Sequence, residues 1–154
     1  MPRRRLADLR RLVLRAADLA TCDGCTACHL RCAAGVPMSR AEYRAVVRYQ
    51  GARSDGERGV AISAKDRAVD LGDGVAITLC RFLDMGTRLC SVYPARPLVC
   101  RLLGQVSWMP CPIGKVAYAV DDATAIALMH EYAAVTRRTY EEWAADQPPG
   151  SAQR

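Results

Sequence analysis

Apolar residues recur with helical spacing at the start of the chain and again near residue 40. Residues 5–20 place Leu6, Leu9, Val13, Ala16 and Ala20 three or four positions apart, which predicts an amphipathic helix. Residues 39–42, Ser-Arg-Ala-Glu, match a capping box, in which the serine hydroxyl and the glutamate carboxylate satisfy backbone N–H groups at a helix start. A second helix is therefore predicted over about 40–50, followed by a glycine-rich loop over 51–59.

A third apolar stripe, near the C terminus, predicts one long helix. Asp121 or Asp122 can cap its first turn, and the pattern continues to about residue 145. The face expected to be buried consists of Ile126, Met129, Tyr132, Ala133, Thr136, Tyr140 and Trp143. The tail over 147–154 is predicted to be disordered.

Between the second and third helices, β-branched and large apolar residues predict a β-hairpin. Its strands are residues 73–84 and 87–92, joined by Asp84-Met85-Gly86 with Gly86 in the left-handed conformation. This register places Cys80 opposite Cys90, and because cross-strand Cβ atoms lie about 5 Å apart, both thiols could enter one metal site. Residues 60–72 are expected to be a short helix or irregular, and residues 114–120 a third strand.

These elements predict a small single α+β domain, with amphipathic helices around a short hairpin organised by a cysteine metal site. The helix within 1–20 belongs to this domain, and the cysteine-cluster part spans 21–146. No secretory signal or membrane span is recognised, so a cytoplasmic location is expected. In a reducing compartment, 8 cysteines in 154 residues indicate metal ligation or redox chemistry rather than disulfides.

The net charge of +6 is concentrated at the start of the chain. Between residues 3 and 15, six arginines stand against one acid, Asp8. A basic helix face of this kind is either simply solvated or a docking surface for a protein partner. Aromatic residues are scarce and no nucleic-acid motif follows, which argues against nucleic acid as the partner.

Four cysteines, Cys22, Cys25, Cys28 and Cys32, fall within the stretch Thr-Cys-Asp-Gly-Cys-Thr-Ala-Cys-His-Leu-Arg-Cys. The spacing C-x2-C-x2-C-x3-C is that of the bacterial ferredoxin run, which holds an iron–sulfur cluster, and C-x2-C pairs also occur in zinc sites. The alanine after Cys32 departs from the ferredoxin pattern, which has proline there. Cys111, in Pro-Cys-Pro, supplies a distant cysteine followed by proline.

The second half of the chain contains the more distinctive block, residues 90–101, Cys-Ser-Val-Tyr-Pro-Ala-Arg-Pro-Leu-Val-Cys-Arg. With the first cluster, with Cys80 before it and with Cys111 after it, this block resembles the bacterial and archaeal CxxCxxCC cysteine-cluster family, often called YkgJ-like. The resemblance runs from about Cys22 to Cys111 and implies a zinc- or iron-chelating domain. Where that family has an adjacent fourth cysteine this chain has His29, so either His29 or Cys32 fills the position, and Cys32 is favoured as the thiolate.

The residues around the ligands fit a metal site. Pro94 and Pro97 restrict the backbone between Cys90 and Cys100. Arg96 and Arg101 are expected to donate hydrogen bonds to thiolates or to neutralise the negative charge of the thiolates. His29 is either a metal ligand or a hydrogen-bond donor to a ligand. The eight cysteines allow one centre with ligands from both halves, or two centres, 22/25/28/32 and 80/90/100/111.

No Ser/His/acid set, phosphate-binding loop or dinucleotide fingerprint is present, so no catalytic constellation is predicted apart from the metal site. The preferred hypothesis is an iron–sulfur protein, with a [4Fe–4S] cluster, that acts in electron transfer, redox sensing or metal handling with a partner protein. The alternative is a structural zinc module that serves as a protein-interaction domain.

Overall fold

The computed structural model describes Arg11, which is helical, and residues 25–53, 68–116 and 120–146. The rest of the predicted first helix, Cys22 and the tail over 147–154 lie outside the described residues. The described residues form four α-helices and two antiparallel two-stranded sheets, which confirms the predicted α+β class. The strands are β1 (Met38–Ser39), β2 (Ala68–Gly72), β3 (Val75–Thr78) and β4 (Arg137–Arg138), and the helices are α1 (Arg40–Gly51), α2 (Leu98–Leu102), α3 (Asp122–Ala133) and α4 (Tyr140–Ala145).

Helix α1 begins at the predicted capping box. The Ser39 hydroxyl accepts a hydrogen bond from the Glu42 N–H, and the Glu42 carboxylate accepts one from the Ser39 N–H at 2.8 Å. The predicted helix over 40–50 is therefore confirmed to within one residue. Its buried face includes Tyr43 and Val46, which are the side chains that attach it to the core.

The hairpin in the middle of the chain is formed by β2 and β3. Strand β3 lies within the predicted strand over 73–84, but its partner is β2 and not residues 87–92. Residues 68–72, expected to be helical or irregular, pair with residues 75–78. Asp73 and Gly74 both have positive φ, 50° and 74°, as a two-residue type I′ turn requires. Asp-Gly is the strongest local hairpin signal, so the sequence contained the information for this turn.

The predicted pairing of Cys80 with Cys90 is wrong. Cys90 instead forms an isolated antiparallel bridge with Leu83. The connection has four residues, 85–88, because the Asp84 carboxylate accepts the N–H groups of Gly86 and Thr87 at 2.8 and 2.9 Å, and the left-handed residue is Arg88 rather than Gly86. The longer loop shifts the register and leaves Cys80 after the end of β3.

The predicted long C-terminal helix is interrupted. Asp121 caps α3 as expected, its side chain accepting the Thr124 N–H at 2.9 Å, but α3 ends at Ala133. Strand β4 then pairs with β1, and a second capping box, formed by Thr139 and Glu142, opens α4. Ile126, placed on the buried face by prediction, is 50% exposed.

The third predicted strand is not found where the structure describes it. Gly114, Lys115, Val116 and Val120 are not in a strand, and residues 117–119 lie outside the described residues. A bend at this place follows from Gly114, whose φ of 62° suits a turn.

Three groups of buried apolar side chains form the core. The largest joins α2 and α3 through residues such as Leu98, Leu102 and Leu128. A group containing Val46, Phe82 and Val92 has Cys80 and Cys90 packed against it. Helix α1 thus supports the cysteine-bearing segments from behind. Among the described helices, none combines the length and apolarity needed to cross a membrane.

Candidate metal centre

Cysteines from both halves of the chain line one cavity of about 410 Å³. They come from the leading loop, from the segment just after β3, from the residue that pairs with Leu83 (Cys90) and from α2. The cysteine and histidine residues of its wall are Cys25, Cys28, His29, Cys32, Cys80, Cys90 and Cys100. Cys22 lies outside the described residues, and Cys111 is not part of the cavity wall.

The leading loop curls into a single 3₁₀ turn, His29–Arg31. The Cys28 carbonyl accepts the Arg31 N–H at 2.9 Å, and the His29 carbonyl accepts the Cys32 N–H at 3.1 Å, so the spacing of the cysteines is fixed by backbone hydrogen bonds. The Nδ1 atom of His29 lies 2.8 Å from the Thr26 carbonyl oxygen. Because a carbonyl only accepts, Nδ1 carries the proton, and in the neutral ring Nε2 is left with a lone pair.

A short stretch of strand-like pairing attaches this loop to the segment that follows β3. Ala33 forms an antiparallel bridge with Leu79, and the Cys80 N–H donates to the Cys32 carbonyl at 2.5 Å. The Cys80 sulfur accepts the Phe82 N–H at 3.5 Å. An amide donor aimed at sulfur stabilises the thiolate form, which is the form that binds metal.

The segment between Cys90 and Cys100 is shaped by its prolines and by Arg101. It contains a 3₁₀ turn, Tyr93–Ala95, and continues into α2. The Arg101 guanidinium donates to the carbonyl oxygens of Arg96, at 2.8 Å, and Pro94. Arg101 is not in the cavity wall, so the contacts found for it brace the backbone that carries the two cysteines.

Arg96 occupies a different position, in the cavity wall itself. Its Nε donates to the Tyr93 carbonyl at 3.1 Å, and its guanidinium carbon lies 3.6 Å from the centre of the Tyr93 ring. Held in this way, its positive charge acts to lower the pKa of Cys32 and Cys100 against the effect of burial. It is therefore the arginine of the block that compensates thiolate charge.

Partial burial raises the pKa of two of the thiols in the wall, Cys32 and Cys100. Burial, followed by repulsion from Cys90, Cys80 and Cys28, raises the pKa of the Cys32 thiol from its ordinary value of 9.0 to about 11. Burial, followed by repulsion from Cys80 and Cys90, raises the pKa of Cys100 to about 12. Thiolates that repel one another across the cavity would be stabilised by a shared cation, so metal binding would replace the protons.

The donor set fits zinc or iron by its chemistry, since both are bound by thiolate and imidazole in proteins. Within the described ranges, no three His, Cys, Asp or Glu side chains are gathered closely enough to hold an ion as they stand. The thiols thus line the cavity without forming a ready set of ligands around one point.

Cys111 lies in a loop of its own beside the cavity. The carbonyl of its neighbour Pro110 accepts a hydrogen bond from Arg31 at 2.6 Å, which places this loop against the leading 3₁₀ turn. Although burial opposes the shift, the backbone N–H groups of residues Ile113, Val116, Lys115 and Gly114 lower the pKa of the Cys111 thiol. His130, on α3, is exposed and is not part of the cavity wall.

Several wall residues were not predicted from the sequence. They include three further arginines, Arg31, Arg81 and Arg88, of which Arg81 lies 3.5 Å from the Glu141 carboxylate, also a wall residue. Arg31 and Arg81 directly neighbour Cys32 and Cys80 in sequence, so adjacency to a cysteine was the signal that could have found them. With Arg96, they bring the number of arginines in the wall to four.

A family model with the description "CxxCxxCC: Putative zinc- or iron-chelating domain" matches residues 21–131, more than half of the chain. The match includes the leading loop, all the wall cysteines and Cys111. Comparison with curated proteins and with solved structures finds no match. The cavity lined by cysteines and the family match lead to the same conclusion, that this chain belongs to the CxxCxxCC family of zinc- or iron-chelating domains.

Proposed function

We propose that the chain holds an iron–sulfur cluster of the [4Fe–4S] type in the cysteine cavity and uses it, with a partner protein, in electron transfer, redox sensing or metal handling. The observation that carries this proposal is that six described cysteines, from segments up to 75 positions apart (Cys25 to Cys100), line one cavity. Four thiolates suffice for one such cluster.

The cavity has room for a multi-atom centre. Its volume is about 410 Å³, and apolar side chains line it together with the six cysteines. A cluster of four iron and four sulfide atoms needs more space between its ligands than a single zinc ion does.

The charges of the wall also suit a cluster. Four thiolates bring a charge of about −4, which the iron and sulfide of the cluster only partly cancel. Arg31, Arg81, Arg88 and Arg96 supply positive charge in the wall, against one carboxylate, Glu141. When bound, the cluster would supply one-electron exchange, and these residues would bind it, limit the access of water and tune its potential.

The proposed ligands are drawn from both halves of the chain. Cys25, Cys28 and Cys32 would come from the leading loop, and Cys80, Cys90 and Cys100 from the second half. Cys22 and Cys111 remain candidates from the sequence. A centre that joined the two halves would cross-link them, so its loss would destabilise the fold.

A structural zinc module is the second candidate. The wall contains His29 with Nε2 available, and mixed sulfur and nitrogen ligation is common for zinc. In that case the centre would hold the two halves together, and the domain would act through its surface. The arginine-rich segment over 3–15 is the proposed docking surface for a protein partner, and the cytoplasm the proposed location.

Anaerobic purification followed by iron, zinc and acid-labile sulfide analysis tests the proposal. A brown protein with equal amounts of iron and sulfide supports the cluster. A colourless protein with stoichiometric zinc and no iron supports the zinc module and contradicts the cluster. Cys100→Ser serves as the matched loss-of-ligand variant and should lose the metal that the unmodified chain retains.

A further inference from the structure

The Glu42 carboxylate joins the helix that carries Cys100 to two other parts of the fold. Glu42 is 2% exposed. One carboxylate oxygen accepts the Leu98 N–H at 2.8 Å. The other accepts the Ser39 N–H and hydroxyl, both at 2.8 Å, and the Tyr132 hydroxyl at 2.6 Å.

Helix α2 needs this carboxylate because its own sequence supplies no cap. Its N-cap residue is Pro97, which has no side-chain acceptor, and Leu98, the first helical residue, is 1% exposed. The N–H of Leu98 would otherwise be a buried donor without an acceptor, which proteins rarely tolerate. Glu42, 56 positions earlier in the chain, fills the place of the cap.

The same bond fixes the orientation of the helix relative to the cavity. Helix α2 has five residues, and Cys100 is two residues beyond the bonded N–H. Arg101 braces the preceding turn through the carbonyls of Pro94 and Arg96. Glu42 ties this braced unit to α1 by a hydrogen bond, in addition to the apolar packing of Val46 with Val92 and Ala95.

We propose that Glu42 is a positioning residue for the metal centre: by capping α2 through the Leu98 N–H, it holds Cys100 at the cavity before metal arrives and thereby sets the affinity of the site. Tyr132 keeps the carboxylate in the orientation that reaches Leu98. This proposal rests on the proposed metal binding. A ligand held in place beforehand needs less ordering when the metal binds, so its loss weakens affinity.

Anaerobic titration with Co²⁺ alone tests the proposal, since thiolate-to-cobalt charge-transfer absorption reports how much sulfur is bound to each metal. Glu42→Gln keeps the shape of the side chain, but its NH₂ group must face the N–H of either Leu98 or Ser39. Because both groups are hydrogen-bond donors, one of the two bonds is lost. The expected result is a Kd about 10–100-fold weaker, with less charge-transfer absorption per bound cobalt.

Glu142→Gln is the matched control. Glu142 belongs to the second capping box and accepts from the Thr139 N–H and hydroxyl, at 2.7 and 3.0 Å. Within the described part of the chain, these bonds stay inside the box and reach no cysteine-bearing segment. Its cobalt affinity and spectrum should match those of the unmodified chain. If Glu42 were only structural, Glu42→Gln would lower the melting temperature of the metal-free protein and leave the cobalt spectrum unchanged.

Two results overturn the proposal in distinguishable ways. If the unmodified chain binds no cobalt, zinc or iron, metal binding itself fails. If it binds and Glu42→Gln binds equally well with the same spectrum, only the role of Glu42 fails. Should Glu42→Gln not fold, Tyr132→Phe replaces it, with a severalfold weaker Kd expected in a folded protein, and an unchanged Kd then overturns the proposal.

Discussion

The Cys80 N–H donates a hydrogen bond of 2.5 Å to the Cys32 carbonyl. Through this bond and the neighbouring Ala33–Leu79 bridge, the leading loop lies beside the cysteines of the second half. The two motifs of the sequence are therefore parts of one wall. This pairing supports the proposed single centre with ligands from both motifs.

Replacement of Cys100 and Cys111 should have opposite outcomes. Cys100 lines the cavity and Cys111 does not. We expect Cys100→Ser to lose most of its bound metal, because a hydroxyl is a poor substitute for a thiolate, and Cys111→Ser to retain it. Metal content of the purified proteins, measured together with circular dichroism, checks both. Metal loss in Cys111→Ser with normal folding would show that Cys111 joins the centre.

Arg96 and Arg101 should differ in the property that each one sets. Arg96→Gln removes positive charge from the wall, so the reduced, more negative state of a cluster is destabilised and the reduction potential should fall. Arg101→Gln removes two hydrogen bonds to backbone carbonyls and should cost about 1 kcal/mol of unfolding free energy. Redox titration and urea unfolding separate the two effects. If only Arg101→Gln shifted the reduction potential, then Arg101 and not Arg96 would be the arginine that tunes the cluster.

The features predicted correctly from the sequence are those decided by neighbouring residues. The Ser39–Glu42 box and the Asp121 cap each depend on groups three positions apart, and both are found. The Cys80–Cys90 register failed because the Asp84 side chain lengthened the loop by one residue, and a change of one residue shifts the whole register.

Features that depend on distant residues could not be predicted in this way. The hydrogen bond from the Leu98 N–H to the Glu42 carboxylate joins positions 56 apart, and no residue near Leu98 in the sequence indicates that Glu42 is its partner. The C-terminal helix is interrupted because residues 137–138 pair with β1, nearly a hundred positions earlier. The eight candidate cysteines were recognised from spacing and resemblance, whereas the structure was needed to bring six of them to one cavity and to place Cys111 outside it.

Acid should weaken the fold partly through Glu42. Burial opposes the shift, but hydrogen bonds from Tyr132, Ser39 and Leu98 outweigh it and lower the pKa of this carboxyl below its ordinary value of 4.5. A lowered pKa in the folded state contributes stability above the unfolded value, and this contribution is lost as the pH falls through the folded value. The destabilisation caused by Glu42→Gln should therefore shrink as the pH falls from about 6 towards 3, through the lowered pKa of this carboxyl. Urea unfolding of the metal-free proteins measures it, and a difference that stays constant with pH would contradict the assignment.

The place that other family members give to an adjacent cysteine can be assigned by comparing Cys32 and His29. The Cys32 thiolate would be near Cys90, Cys80 and Cys28, as their effect on its pKa shows, and its backbone carbonyl is bonded to Cys80. His29 is tied to the Thr26 carbonyl through Nδ1, which leaves only Nε2 for a metal.

We expect Cys32→Ser to lose metal. We expect His29→Ala to retain metal with at most a severalfold weaker Kd, as for a residue that supports a ligand by a hydrogen bond without binding the metal itself. Anaerobic cobalt titration of both variants, with His130→Ala on α3 as the histidine control, measures this difference. The reverse order, with metal lost in His29→Ala and kept in Cys32→Ser, would assign the position to the imidazole and favour a mixed sulfur and nitrogen zinc site.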